Sequence, residues 1–544
     1  MGVISFVQFS GIAPRLSPYK LPQSNAQIAK NVRLAARTLK PWNNPLTVVS
    51  GVTAGDPSTI YRFGHDLPND TQYWFAWPVD VDVVKGALAN DATERTYFTH
   101  PSDGPRYTNN SLALTGGSGA YPWNSYKLGV AAPTLTPAGV AGGGAGVPET
   151  RVYVFTYVTS YGEEGPPSPV SSTVDVLPGG YCDLSNLGTT APTGYGNITA
   201  KRIYRTLSGS LATEFQFVDE IPIGNATYRD TKTGTQLQEV IPSVNYDPPP
   251  ASGFGICQMA NGITLIMDGY DIYPSEAYLP HAYPPAYRQT CDYPIVGAKS
   301  FGSMAVIGTT GVPYLLYGSD PSALTLQKLQ DPQACVSKRS MCVVPGGVMY
   351  ASPDGLVMVD ANGSVTVATD PFMTRDEWQT LVPSSIRGYV HDGRYIGFYN
   401  TGSVQGGFVF EPREGDAAIT LLDAYASAGY SDLVNDSLYL QIGTDIVKWH
   451  AGAGQMTYTW KSRLNLLPYP DIYSCAQVIA SAYPVTFKLY GDGVLKHTQT
   501  VASRAPFRLT GGSRYQSIEV ELSGTAEVAE VHVAHSIAEL KELV

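Results

Sequence analysis

Short runs of alternating apolar and polar residues, separated by glycine-containing turns, recur through the second half of the chain. Five such units begin near Gly255, Gly297, Gly347, Gly388 and Asn435. Alternation with a period of two is typical of a strand with one buried face, and Asp-Gly or Asn-Gly between two such runs predicts a hairpin. The repeat of about 40–50 residues matches the length of a propeller blade. The pattern therefore predicts propeller blades over 248–455.

The composition agrees with a fold built from many short strands. Of 544 residues, 55 are Gly, 41 are Pro and 36 are Tyr, and only 15% are charged. Disordered chains carry more charge and fewer aromatic residues, and long-helix proteins contain little Gly and Pro. The formal net charge of −11 argues against a basic surface that grips the phosphates of a nucleic acid. We expect an all-β protein.

The first 50 residues differ from the rest and are interpreted as an N-terminal arm. Prolines at 14, 18 and 22 favour an extended chain, and SNAQIAKNVRL predicts a short helix capped by Ser24 or Asn25. The arm either packs on its own domain or reaches a neighbouring subunit, and the sequence leaves both open. The residues expected to contact a neighbouring subunit are Pro14, Leu16, Pro22, Ile28 and Val32.

The remainder of the chain divides into five segments. Residues 51–130 are strand-like and predict a first propeller part, and 131–148 are an uncharged Gly, Pro and Ala linker. Residues 149–247 predict an inserted β-sandwich, in which YVFTYVTSYGEEGPPSP and the later IYRT, FVDEI and YRDT resemble a fibronectin type III module. The blades at 248–455 are interrupted by a short helix starting near Thr374. Residues 456–544 predict a C-terminal sandwich-like unit that ends in a strand and a short helical tail.

Motifs for catalysis or metal binding are missing from the sequence, so we expect no enzyme activity and no cofactor. His532 and His535 lie on a strand at an odd spacing, which directs them to opposite faces and disfavours a metal site. Asp80 and Asp82 alternate with valines in PVDVDVV, and a strand with one wet face explains them better than a calcium loop does. His281 is interpreted as a packing or hydrogen-bonding residue.

The cysteine pattern indicates the redox state of the compartment of synthesis, and the hydropathy indicates whether the chain crosses a membrane. Six cysteines without metal-site spacing are expected to be reduced and buried, which favours synthesis in a reducing cytoplasm. No run of about 18 uncharged apolar residues is present, so no membrane-spanning segment is expected.

Several phrases resemble a family of phage proteins. They are GIAPRLSPYKLP, AQIAKNVRL, YGEEGPPSP, SEAYLPHAYP, QACVSKRSM, ASPDGLVMV, TRDEWQTLVPSSI and AYPVTFKLYGDG, which span nearly the whole chain. Together they resemble the nozzle or tail tubular proteins of short-tailed bacteriophages. The resemblance implies a propeller-containing tail component that forms a six-fold ring below the head–tail adaptor. It implies a DNA ejection channel and docking of fibres or spikes, and it implies no catalytic residues.

The expected partners follow from that resemblance: copies of the chain itself, the adaptor, tail fibres or spikes, and genome DNA that passes without sequence-specific binding. The expected location is the virion tail, after synthesis in the cytoplasm of a host bacterium. Two other functions stay open. One is a tailspike-like polysaccharide hydrolase, which needs a pair of carboxylates in a cleft with aromatic walls. The other is a non-catalytic receptor-binding adhesin.

Overall fold

The computed structural model describes residues 2–51, 58–65, 72–89, 91–116, 122–207, 214–412, 418–511 and 513–542. Within them the chain forms 46 strands and three α-helices of five residues each. None of these helices is long and apolar enough to cross a membrane. The expected all-β class is confirmed.

The N-terminal segment contains strands and no α-helix among its described residues. The strands are β1 (Val3–Phe6), β2 (Ala26–Lys30), β3 (Val32–Arg33), β4 (Lys40–Pro41) and β5 (Leu46–Val49). The short helix predicted for SNAQIAKNVRL is therefore wrong. Its apolar residues Ala26, Ala29 and Val32 are buried, but in an extended chain that hydrogen-bonds to distant strands.

Two sheets follow and begin a ring of blades. Blade 1 contains β6 (Thr59–Phe63) and β7 (Tyr73–Trp77). Blade 2 contains β8 (Asp82–Lys85), β9 (Thr96–His100), β10 (Gly104–Thr108) and β11 (Tyr126–Lys127), with α1 (Asn110–Leu114) between its last two strands. The rings of Trp77 and Phe98 lie 5.5 Å apart and join the two blades.

A β-sandwich is inserted between blades 2 and 3. Its strands are β12 (Ala138–Gly142), β13 (Glu149–Arg151), β14 (Tyr153–Thr159), β15 (Val174–Val176), β16 (Tyr181–Ser185), β17 (Ile198–Thr206), β18 (Phe215–Pro222) and β19 (Tyr228–Asp230). The linker predicted for 131–148 is wrong over 138–142, because β12 pairs along its whole length with β16. The resemblance to a fibronectin type III module stays an expectation.

Blades 3 to 7 follow the insertion. Blade 3 contains β20 (Phe254–Gln258), β21 (Thr264–Asp268), β22 (Asp271–Pro274) and β23 (Gln289–Thr290); blade 4 contains β24 (Ile295–Phe301), β25 (Met304–Thr309), β26 (Tyr314–Tyr317) and β27 (Thr325–Lys328). Blade 5 contains β28 (Cys342–Val344), β29 (Gly347–Ala351), β30 (Leu356–Asp360) and β31 (Val365–Val367); blade 6 contains β32 (Arg387–His391), β33 (Arg394–Asn400), β34 (Gln405–Phe410) and β35 (Ile419–Leu422). Blade 7 contains β36 (Ala428–Asp432), β37 (Ser437–Ile442) and β38 (Asp445–Lys448).

The helix expected near Thr374 is present between blades 5 and 6. It is α2 (Arg375–Gln379), and Thr374 and Glu377 form a reciprocal capping box at its start. The five sequence repeats therefore correspond to blades 3 to 7, although the units placed at Gly347 and Asn435 begin one strand earlier, at Cys342 and Ala428.

The C-terminal unit is a two-layer sandwich. Its strands are β39 (Tyr458–Ser462), β40 (Asn465–Asp471), β41 (Cys475–Ala480), β42 (Val485–Gly491), β43 (Val494–Val501), β44 (Phe507–Arg508), β45 (Tyr515–Gly524) and β46 (Val528–Ala534), followed by α3 (Ile537–Lys541). The predicted strand and helical tail at the chain end are confirmed. Short 3₁₀ turns lie at Ala35–Arg37, Gly234–Gln236, Pro285–Tyr287, Pro321–Ala323, Lys338–Ser340 and Pro383–Ser385.

The first strands of the blades line up around a common axis. Strands β8, β20, β24, β28, β32 and β36 contact one another in that order, and β36 also contacts β6 of blade 1. The seven sheets therefore close into a propeller-like ring. A ring of blades of this kind leaves only short, protected sheet edges.

The N-terminal strands add to sheets of both the propeller and the C-terminal sandwich. Strand β5 is the outermost strand of blade 7, where it pairs with β38. Strand β1 pairs with β46 in one sheet of the C-terminal sandwich. Strand β2 lies between β39 of the sandwich and β35 of blade 6, so that one continuous sheet runs from blade 6 into the sandwich.

One hydrophobic core spans the join between propeller and sandwich. It contains Phe6 and Phe9 of the arm, Trp378 of α2, Phe408 of blade 6 and Trp460 of β39, all buried. The Phe9 ring meets the Trp460 ring edge to face at 4.9 Å. These contacts fix the arm to its own chain.

A buried ion pair locks blade 1 to blade 7. Arg62 of β6 donates to Asp432 of β36 over 2.6 Å, and both side chains are almost completely buried. Burial alone would raise the pKa of Asp432, but hydrogen bonds from Asn435 and Arg62 outweigh it and hold the pKa below its usual value. Asp432 is therefore charged at neutral pH.

We predict that Phe9→Ala destabilises the arm and that Val7→Ala does not. The Phe9 ring is buried, and its loss is expected to cost about 3–5 kcal/mol. Val7 is exposed, so its truncation is the matched control. Hydrogen exchange of β1 and β46 measures the effect, and equal protection in the two variants would contradict this account.

We predict that Asp432→Asn destabilises the protein at pH 7 by about 3 kcal/mol, because Arg62 then stays buried without its counter-charge. Asp432 has a lowered folded pKa, so its contribution is complete above the unfolded value of about 3.9. That contribution is lost as the pH falls through the folded pKa. Thermal unfolding from pH 7 to pH 3 should therefore show the difference from wild type shrinking below about pH 4. A difference that is independent of pH would contradict the charged state assigned to Asp432.

Candidate functional site

The structure separates the five arm residues expected to contact a neighbouring subunit. Pro14, Leu16 and Pro22 lie exposed in the loop between β1 and β2, and Ile28 is exposed on β2. Val32 is fully buried in the core of its own chain and presents no surface to another molecule. The arm as a whole packs on its own chain, as the first of the two alternatives predicts, while the loop remains available for contacts.

The loop contacts Arg463 and Leu464, the two residues that connect β39 to β40 of the C-terminal sandwich. The Leu464 amide donates to the Pro18 carbonyl over 3.0 Å, and the Arg463 guanidinium donates to the Leu21 carbonyl over 2.9 Å. Four large side chains are exposed in these two neighbouring segments: Tyr469 (80%), Leu466 (61%), Tyr19 (50%) and Leu16 (37%). We call these four residues the arm surface. Exposed apolar groups on neighbouring segments are candidates for an interaction site.

A second candidate site is a charge cluster on the propeller axis. Lys338 and Arg339 lie in the 3₁₀ turn that leads into blade 5, and Asp80 and Asp82 lie at the start of blade 2. Lys338 Nζ is 2.5 Å from Asp82 Oδ2 and 3.1 Å from Asp80 Oδ2. Arg339 pairs closely with Asp80 and donates to the Val81 carbonyl over 2.8 Å. Blades 2 and 5 are not neighbours in the ring, so these ion pairs cross its axis.

A cavity of about 560 Å³ opens beside this cluster. Its lining includes Asp80, Lys338, Arg339, Arg387 and Tyr425. The Lys338 stem lies against Gly297 on the first strand of blade 4, where an added Cβ would come within 2.7 Å of the lysine Cγ. A glycine at 297 therefore makes room for the lysine to reach across the axis.

The interpretation of Asp80 and Asp82 as the wet face of a strand is wrong for Asp82. Its side chain is 10% exposed, against 41% for Asp80, and both carboxylates are paired with the two cations. The alternation with valine is real, but the face that carries Asp82 points towards the axis. The pairing partners lie about 256 residues away in the sequence, so no local pattern indicates them.

A third candidate site lies between the inserted sandwich and the propeller. We call it the insert cleft; its volume is about 440 Å³. Four tyrosines, Tyr97, Tyr161, Tyr246 and Tyr278, line it together with Asp91, Arg95, Glu163, Glu164, Arg202 and His281. Blade 2, the YGEEG turn of the insertion and the SEAYLPHAY segment of blade 3 supply most of these residues, Arg202 lies on β17, and Tyr246 lies between the insertion and blade 3.

Charges inside the insert cleft are paired with one another. Arg95 donates to Asp91 over 3.1 Å and to Glu163 over 3.0 Å, and its guanidinium lies 4.6 Å from the centre of the Tyr161 ring. Burial raises the pKa of Glu163, although Arg95 opposes the shift. Arg95 therefore joins the Asp91 loop of blade 2 to the YGEEG turn of the insertion, which is far away in the sequence.

His281 lines the insert cleft and is buried. Burial, reinforced by the charge of Arg95, lowers the pKa of His281 to about 4, so the ring is neutral at physiological pH. Its ring contacts that of Tyr246 edge on, and its Nδ1 atom has no hydrogen-bond partner within the described residues. Glu163 Oε1 lies 3.9 Å from that nitrogen.

The remaining sequence candidates have structural partners. His532 bonds to Ser5 and Glu530, whereas His535 bonds to Asp471, so the two rings serve different neighbours. All six cysteines are buried and unbridged, which confirms the interpretation as reduced small apolar residues. Across the described ranges, no group of three or more His, Cys, Asp or Glu side chains could hold a metal ion.

Comparisons with known proteins identify no family. No protein-family model matches the chain, and no curated protein matches it. Among solved structures, the chain is similar to BBS1N in complex with ARL6DN (9% identity, 75% of this chain and 96% of that chain, TM-score 0.28). It is also similar to the N-terminal domain of Nup159 (9%, 73% and 100%, TM-score 0.27) and to PorZ of Porphyromonas gingivalis (10%, 85% and 56%, TM-score 0.28). At TM-scores below 0.5 these similarities carry no argument about fold or function.

We predict that Asp82→Asn destabilises the propeller more than Asp80→Asn does. Asp82 is the more buried carboxylate, and its neutralisation leaves Lys338 with only the half-exposed Asp80, at a cost of about 2 kcal/mol. The Asp80 change should cost less than about 1 kcal/mol. Thermal unfolding measures both, with the exposed Asp103→Asn as the unaffected control. Equal losses at positions 80 and 82 would contradict the axial assignment.

Proposed function

We propose that this chain is a structural protein of a short bacteriophage tail. In this proposal, copies of the chain form a ring below the head–tail adaptor, make a channel for DNA ejection and dock fibres or spikes. The sequence resemblance to nozzle proteins is the basis of the proposal. The structural observation that supports it is the arm surface, because two tyrosines and two leucines are exposed on two segments that hydrogen-bond to each other.

The charge of the chain supports a passive channel. Each copy carries a formal net charge of −11, so a ring of six is strongly acidic. A wall of like charge repels phosphates, which lets DNA slide without being held. An experimental map of the ring with a basic lumen would remove this support.

The axial ion pairs bear on the route of the DNA. Lys338 and Arg339 cross the axis of the propeller to reach Asp80 and Asp82. A duplex about 20 Å wide needs a much wider opening than a ring bridged by side chains provides. In the proposed tail the DNA channel therefore runs between the copies of the ring, and each propeller forms part of its wall.

The mass of the assembly tests the proposal. Six chains of 58.3 kDa form a particle of about 350 kDa, which native mass spectrometry or analytical ultracentrifugation distinguishes from a monomer. We predict that Leu466→Asp combined with Tyr469→Asp shifts the protein to 58.3 kDa, because charge in an apolar interface is costly.

The control places the same charge on another exposed leucine. Leu433 lies in the turn between the first two strands of blade 7 and does not belong to the arm surface, so Leu433→Asp should leave the ring intact. A trimer would favour the tailspike alternative. A wild-type protein that stays monomeric at all concentrations would contradict the proposal.

A further inference from the structure

We propose that the insert cleft binds a neutral saccharide and that the Tyr278 ring is its stacking platform. This inference goes beyond the proposed tail function and does not depend on it. It rests on the shape of the cleft, the strained backbone of Tyr278 and the hydrogen-bonding groups that line the cavity. A volume of about 440 Å³ is in the range of small-ligand sites and accommodates one or two sugar rings.

Tyr278 is held in a conformation that a bulky side chain rarely adopts. Its φ is +61°, in the left-handed region. The Tyr278 amide donates to the Gly262 carbonyl over 3.0 Å, and the ring lies so close to Gly262 that an added Cβ there would be 2.7 Å from Tyr278 Cδ1. Strain of this kind persists only where the surroundings enforce it, and it is concentrated at functional sites.

The strained backbone holds an aromatic ring at the edge of the cleft. Tyr278 remains 53% exposed although one side of its ring rests on Gly262. A tyrosine combines an apolar face with a polar tip, which suits the apolar face and the hydroxyl rim of a pyranose. Packing on Gly262 fixes the ring before any ligand arrives, so little conformational entropy is lost on binding.

Hydrogen-bonding groups also line the insert cleft. Glu163 and His281 both line the cleft, and His281 Nδ1 has no partner within the described residues. That nitrogen is 3.9 Å from Glu163 Oε1, which is too far for a direct hydrogen bond. The nitrogen itself is buried, so of the two groups a ligand hydroxyl in the cleft reaches the Glu163 carboxylate, whose side chain is 16% exposed and accepts hydrogen bonds.

The charges of the cleft favour a neutral ligand over an anion. Two arginines face three carboxylates, and both guanidiniums are already paired. Arg95 bonds to Asp91 and Glu163, and Arg202 bonds to Glu164 over 2.8 Å and to Glu220 over 2.9 Å. Among the described lining residues no surplus cation is available for a phosphate or a sulfate group, and their net charge is slightly negative.

Saturation-transfer NMR tests the proposal on the full-length protein. The probes are maltose, cellobiose, lactose and N,N′-diacetylchitobiose, with glucose 6-phosphate as the anionic comparison. We expect saturation transfer to at least one neutral disaccharide and none to glucose 6-phosphate. The absence of transfer to all four disaccharides would overturn the proposal, as would preferential binding of the phosphate.

Variants at position 278 locate the site. Tyr278→Gly removes the ring and relieves the positive φ, so the protein should fold while its dissociation constant for the disaccharide rises about tenfold. Tyr278→Phe keeps the ring and should retain binding. Tyr270 is a similarly exposed tyrosine on blade 3 outside the cleft, and Tyr270→Ala is the matched control. Binding that is undiminished in Tyr278→Gly would overturn the assignment of the platform.

Discussion

The fold depends on the pairing of the first 50 residues with strands from the end of the chain. Strand β5 completes blade 7, β1 completes one sheet of the C-terminal sandwich, and β2 joins that sandwich to blade 6. Each pairing closes a loop of roughly 400 residues or more. The entropic cost of closure grows only logarithmically with loop length, so such distant pairing is affordable once the strands have a sheet to join. Without it, blade 7, blade 6 and the sandwich would each expose a strand edge.

Ion pairs near the propeller axis accompany the strand pairs at the outer edges of the sheets. The ion pairs from Lys338 and Arg339 to Asp80 and Asp82 connect blades on opposite sides of the ring, and Arg62 with Asp432 joins the first blade to the last. Both sets consist of charges that are costly to bury alone. A ring with one blade more or fewer would separate these partners. The ion pairs therefore favour seven blades over other arrangements of similar hairpins.

Local signals in the sequence predict local structure well here. The helix at Thr374 was predictable because Arg375, Trp378 and Leu381 have helical spacing, and the blades were predictable from the turn residues within each hairpin. SNAQIAKNVRL was misinterpreted because its apolar spacing also fits a helix, and the strand that competes with the helix pairs with Lys461, more than 430 residues away. Tertiary pairing overrides local propensity in that segment.

The candidate sites were less predictable than the fold for the same reason. Asp82 meets its partner only through the closed ring, and the insert cleft exists only where the YGEEG turn meets blades 2 and 3. The positive φ of Tyr278 has no sequence signal, since glycine or asparagine would be expected at such a position. A sequence can indicate a strained tyrosine only when the contacts that enforce it are already known.

The positions of the arm surface and the insert cleft make the two proposed roles compatible. The arm surface borders blades 5 and 6, because Arg15 pairs with Asp370 after blade 5 and β2 joins β35 of blade 6. The insert cleft lies between blades 2 and 3. Blade 4 separates them in one direction around the seven-bladed ring, and blades 7 and 1 separate them in the other, so a neighbouring copy bound at the arm surface leaves the cleft open. A ring assembled through the arm would thus present one sugar-binding cleft per copy, and several weak sites on one particle bind a polysaccharide surface far more tightly than a single site does.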